Sequence, residues 1–158
     1  MAGEPFRRLK AGGFAVHLPA DVRRELSELG GQLLQLVSEL DPSDDPAVAR
    51  LYPPAYPDDP LQNLDYERVA YDGLRDGRIE AARTLQRTAK AKRLTEEELL
   101  AWMGSANDLR LVLGTRLGVT EGSEPADFAE DPAAAETFEI YLFLGGVVDA
   151  IVRAVENQ

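Results

Sequence analysis

The chain contains no cysteine, and that absence removes a disulfide framework, a thiolate nucleophile and every cysteine-based metal site at once. A reducing cytoplasm is the compartment it suits. Histidine is almost as scarce: His17 stands alone, on a segment that reads as a strand and without a nucleophile motif beside it. Ser-His-Asp chemistry and a histidine zinc site therefore lack their parts. Positive charge is in deficit as well, since 17 Lys and Arg face 28 Asp and Glu for a net charge of -11. Such a field repels nucleic acid and anionic lipid. Long apolar runs are missing too. The longest nearly uncharged stretch, 140–148, is too short to cross a bilayer, and the basic N-terminal residues precede no apolar core of a signal peptide. These absences predict a chain that is neither exported nor anchored, with no metal, no cofactor, no nucleic acid and no membrane among its partners.

What is present is the composition of a folded protein, 44% hydrophobic and 28% charged, in a length that fits one compact domain over 1–158. Phe6 to Leu9, then K-A-G-G, then Phe14, Val16 and Leu18 at alternate positions predict a hairpin over about 5–18, turned at Gly12 and Gly13, with Ala15 and His17 on its other face. Pro19 opens a helix over about 19–40, whose apolar stripe is Val22, Leu26, Leu29, Leu33, Leu36, Val37 and Leu40. D-P-S-D-D-P stops it. That motif starts like a calcium loop, but Pro46 stands where the turn needs glycine and Tyr52 where a bidentate glutamate is required.

A short helical turn around 47–51 leads into the stiff connection L-Y-P-P-A-Y-P-D-D-P. Asp59 and Pro60 then supply an N-cap and a first-turn proline. Helices are expected over about 60–71 and 74–92, separated by a break at D-G-L-R-D-G. Thr95 with Glu98 is a capping box for a helix over about 96–117. A flexible acidic loop over 119–131 and a last helix over about 132–156 complete a mainly α bundle of about five helices. Neither G-G pair lies in a phosphate-binding context, and the basic run 87–93 sits where cations complement a helix C-terminus.

One stretch does not fit a plain core. N-D-L-R-L-V-L-G-T-R-L-G over 107–118 places Asn107, Asp108, Arg110, Thr115 and Arg116 in an apolar run. In the capped helix, Leu99, Trp102, Met103, Ala106, Leu109, Leu113 and Leu117 form one stripe, and Leu100, Leu111, Gly114 and Gly118 form a second arc. Arg110 falls between the two. A guanidinium embedded there needs a partner, and the last helix offers Asp149, with Glu136 and Glu139 a turn or more earlier. The expected network either fixes helix register or forms a ligand or partner site. A second candidate is the segment 51–60, where Tyr52, Tyr56, Asp58 and Asp59 present a partner surface or the tyrosines pin the connection to the bundle.

W-M-G-S-A-N-D-L-R-L-V-L-G-T-R-L-G-V-T-E over 102–121 resembles the signature of an uncharacterised actinobacterial family, the domain-of-unknown-function family numbered two thousand and seventeen. The resemblance extends to the opening F-R-R with its glycine turn, to L-Y-P-P-A-Y-P-D-D, to Tyr66 and Arg68, and to L-R at 74–75. Ala70 and Tyr71 depart from the polar Thr-Glu pair of that family. The resemblance implies no activity. It implies a gene neighbourhood shared with a protease adaptor that reads destabilising N-termini and with a JAMM-type metallopeptidase, and a transcriptional-regulator label for some members. The function expected is a cytoplasmic, non-enzymatic accessory or regulatory module that binds a protein partner, linked to regulated proteolysis, with self-association left open. The alternatives are a transcriptional regulator, which the charge and the lack of a helix-turn-helix disfavour, and an enzyme with a carboxylate-arginine site.

Overall fold

The computed structural model describes residues 3–52 and 58–157, without the side chains of residues 60 and 62–69. Strand β1 (Phe6–Arg8) pairs antiparallel with β2 (Phe14–Val16) in the register Phe6 to Val16 and Arg8 to Phe14. Gly12 and Gly13 turn the hairpin at φ 102° and 76°. A Cβ on Gly13 would also meet the Leu94 carbonyl oxygen at 2.8 Å, because a third strand lies there. This strand, β3 (Arg93–Leu94), pairs with β2 and makes it the central one. Ala15 is buried as a result, while His17 is exposed. Two residues carry no alternation for a reader of the sequence to detect.

Helix α1 (Ala20–Glu39) follows Pro19 and buries Leu26, Leu29, Leu33 and Val37. Its Gly30 and Gly31 are where another helix crosses closely: a Cβ on Gly30 would meet the Leu85 side chain at 3.2 Å, and one on Gly31 the Gln86 amide nitrogen at 2.8 Å. Asp45 caps the short α2 (Pro46–Ala49), its Oδ1 accepting from the amides of Ala47 and Val48 at 2.9 and 3.4 Å.

Helix α3 (Pro60–Thr88) corrects the expected break between 60–71 and 74–92, since it is continuous. Glycine keeps its N–H and so costs an exposed helix only about 1 kcal/mol. Gly73 and Gly77 both face open space, and Arg75 and Arg78 tie this stretch to neighbouring elements. The helix also ends at Thr88 rather than near Lys92, because Arg93 and Leu94 join the sheet.

Helix α4 (Glu96–Leu117) has the expected capping box, with Glu98 N–H donating to Thr95 Oγ1 at 3.0 Å and Thr95 N–H to Glu98 Oε1 at 2.9 Å. Gly118, at φ 70°, ends it. It is the central helix, packed against α1, α2, α3 and α5. Trp102, in its second turn, is buried edge-on to Phe6 at 6.0 Å, and its Nε1–H donates to Thr88 Oγ1 at 2.7 Å. Leu100, expected on a packed arc, is 41% exposed.

The loop expected to be flexible is tethered. A 3-10 turn at Pro125–Phe128 sets Phe128 on Phe138 with ring centroids 4.6 Å apart. Helix α5 (Pro132–Glu156), capped by Asp131, packs along α4. Arg8 donates to the carbonyls of Val155 and Asn157 and so ties β1 to the end of α5. Among the described residues no helix is long and apolar enough to cross a membrane.

Candidate functional site

The buried charge of the 107–118 stretch is Asp108, not Arg110, and its partner comes from α3. Arg78 Nη1 lies 3.2 Å from both Asp108 carboxylate oxygens, with 24% of the Arg78 side chain and 10% of the Asp108 side chain exposed. Arg78 Nη2 donates to the Leu51 carbonyl just beyond α2. Its guanidinium carbon stands 5.3 Å from the centre of the Tyr52 ring, and Tyr52 packs on Tyr71 at 5.0 Å. A charge-assisted clamp thus joins α3, α4 and the start of the proline-tyrosine connection. Burial pushes the Asp108 carboxyl above its ordinary range, and the Arg78 charge and hydrogen bond oppose that shift without cancelling it. Burial also raises the Tyr52 phenol. Its hydroxyl and Arg78 Nε are buried without a hydrogen-bond partner among the described residues.

One turn away along α3, Arg75 donates to the carbonyls of Val37 and Ser38 at 3.1 and 2.9 Å. Those carbonyls end α1, where a helix leaves acceptors unsatisfied. Neither Arg75, which enters the family resemblance through L-R at 74–75, nor Arg78 was a site candidate in the sequence, although a signal existed. The inward row of α3 runs Leu85, Ala82 and then, at the same spacing, Arg78, Arg75 and Tyr71. Following the buried apolar residues backwards leads to the arginines.

Arg110 does not meet an acid from α5. Its Nη2 donates to Asn107 Oδ1 on its own helix at 2.9 Å, its guanidinium carbon lies 5.9 Å from the Tyr141 ring centre, and Nε is buried without a partner among the described residues. Asp149, Glu136 and Glu139 are all exposed. The expectation failed because Arg110 crosses α5 at Gly145 and its guanidinium turns toward Tyr141, one turn before that glycine, whereas Asp149 lies one turn beyond it. A Cβ on Gly145 would sit 3.7 Å from Arg110 Cδ.

The remaining candidates separate. Arg116 pairs at 3.0 Å with Asp45, the α2 cap, rather than with an acid of α5. The Arg116 hydrogen bond is the main reason the Asp45 carboxyl lies below its ordinary range. Thr115 is exposed and its hydroxyl donates to the Leu111 carbonyl. Asp58 and Asp59 are exposed, and Tyr56 lies outside the described residues. The structure therefore brings Asp108 together with Tyr52, and Asn107 with Arg110, as two small groups on different sides of α4. Among the described residues no three His, Asp or Glu side chains are placed to hold a metal ion.

A family described as a domain of unknown function, DUF2017, matches residues 3–155 of the chain. No curated protein and no solved structure matches it.

Proposed function

The chain belongs to the DUF2017 family, and from that premise we propose that it is a non-enzymatic interaction or regulatory module, acting on a protein partner in the cytoplasm as an accessory to regulated proteolysis. The observation that carries this reading is how Arg78 is used. Its two Nη groups go to Asp108 and to the Leu51 carbonyl, so the most buried ion pair among the described residues holds a connection in place. Both Nη groups are thus spent inside the protein. What Arg78 secures is the point where the proline-tyrosine segment begins. Leu51 is buried and Tyr52 half-buried, which makes Tyr52 a pin. Beyond residues 53–57, Asp58, Asp59 and Leu61 stand exposed at the start of α3. Leu61 is 79% exposed, and burying it against a partner would return roughly 2 kcal/mol of hydrophobic free energy. The link to proteolysis is supported by the gene neighbourhood that the family resemblance implies.

The rival reading, an enzyme with a carboxylate-arginine site, draws on the raised Asp108 carboxyl. Affinity capture from cell extract decides between them when wild type is run beside Leu61→Glu combined with Asp58→Lys. The interaction reading expects a co-purifying protein that the variant loses while its melting temperature is unchanged. Identical capture by both would overturn the assigned surface. A small molecule that raises the melting temperature of wild type but not of Asp108→Asn would favour the enzyme.

A further inference from the structure

A groove of about 590 Å3 runs between α1 and the end of α3, lined among others by Arg23, Arg24, Arg87 and Lys90 with Glu28 as its one acid. In a chain with 28 acids against 17 bases, four cations converging on one groove reverse the prevailing sign. The charge along α1 is uneven. A second groove toward α5 shares Arg24 and Glu28 with the first, and its further charged residues are all acids, Asp21, Glu25 and Glu136.

The four cations are not equivalent. Arg23 donates to the carbonyls of Leu18, Val16, Ala89 and Ala91 at 2.7 to 3.1 Å. It thereby satisfies acceptors just past the end of α3, the task that basic residues near a helix C-terminus otherwise perform. Arg87 and Lys90 are released from it. Both are exposed, as is Arg24, and none of the three forms an ion pair or hydrogen bond among the described residues. Gly30 and Gly31 let α1 and α3 approach closely, and the Arg23 staple holds the groove floor. The cations are thus presented from a fixed frame, which lowers the ordering cost of binding.

We propose that this groove binds a short acidic segment of a partner protein, at a surface separate from Tyr52 and Leu61. A focused positive groove in an anionic molecule selects for charge that stays inside it. An extended nucleic acid or an anionic membrane would run onto the acidic α1–α5 face. A short run of Asp and Glu would not.

The test uses the full chain and a fluorescein-labelled oligoglutamate peptide, read by anisotropy over a salt series. Arg24→Glu with Arg87→Glu should weaken binding by about tenfold or more. Lys10→Glu with Arg50→Glu, the same change in net charge at exposed sites outside the groove, should leave it unchanged, and circular dichroism should show both variants folded. No binding by wild type, equal losses in the two variants, or tighter binding of a single-stranded oligonucleotide of equal charge would each overturn the proposal. Concentration-dependent self-association in sedimentation, abolished by the groove variant, would overturn it in favour of a second copy whose 119–131 loop occupies the groove.

Discussion

Arg78 and Arg110 are the same residue type facing opposite sides of α4, and the bundle accommodates them differently. On the α3 side Arg78 meets a carboxylate from another helix and the Leu51 carbonyl just beyond α2, within a cluster walled by Tyr52. Its charge is neutralised where it sits. On the α5 side Arg110 meets the amide of Asn107 and the Tyr141 ring, and remains half-buried. There the stem packs near Gly145, and the guanidinium keeps an amide and an aromatic face as its partners. Arg78 is half-buried as well, so the two positions differ not in exposure but in whether the packing brings a carboxylate within reach.

The largest expected effect tests the neutralised side. Arg78→Ala should destabilise the fold by about 3 kcal/mol in urea denaturation, the lower end for a broken buried pair, because it strands Asp108. Replacing both partners with apolar residues, Arg78→Met with Asp108→Leu, should recover much of that loss. A cost below about 1 kcal/mol for Arg78→Ala would erase the difference between the two sides.

Arg110→Ala should cost about 1 to 2 kcal/mol, the worth of one hydrogen bond and one contact with an aromatic face. A loss as large as that of Arg78→Ala would mean that Arg110 is held by a charge after all. Smaller, and of opposite sign, is the effect of glycine replacement along the helix that delivers Arg78. Gly73→Ala and Gly77→Ala, with open space around both, should each stabilise by up to about 1 kcal/mol. Destabilisation would show that α3 breaks there.

Acid titration sharpens the difference by sign. The folded carboxyl of Asp108 lies above the ordinary value of 3.8, so its contribution to stability is fully present below that value and is lost as pH rises through the folded pKa. Asp45 is lowered, so its contribution is present above the ordinary value and is lost as pH falls through the folded pKa. Relative to wild type, Asp108→Asn should therefore gain stability with rising pH through the acid range, and Asp45→Asn should lose it. Parallel curves for the two variants would show that Asp108 is not desolvated.

Much of the architecture was legible because it depends on neighbours in the chain. Gly12 and Gly13 mark the hairpin, and Thr95 and Glu98 start α4; each motif satisfies its own backbone groups within a few residues. The candidate site was legible only in half. The 107–118 stretch announced polar groups that had to be accommodated, yet Asp108 found Arg78, 30 residues away in the chain, and Arg116 found Asp45, 71 residues away. The continuity of α3 escaped for a related reason: glycine weakens a helix by an amount that two arginine anchors outweigh.

The sequence by itself determined where helices begin, which of their faces are apolar, and that some charge had to enter the core. These follow from backbone hydrogen bonding and from periodicity, both of short range. Which acid meets which arginine was decided only when the helices packed. Arg110 meets α5 at Gly145 and turns toward Tyr141 one turn before it, and Asp149, one turn beyond, stays exposed. A slide or rotation of α5 against α4 would change which of these residues Arg110 meets without changing one local interaction, so its setting belongs to the contacts between helices and not to the pattern along any one of them.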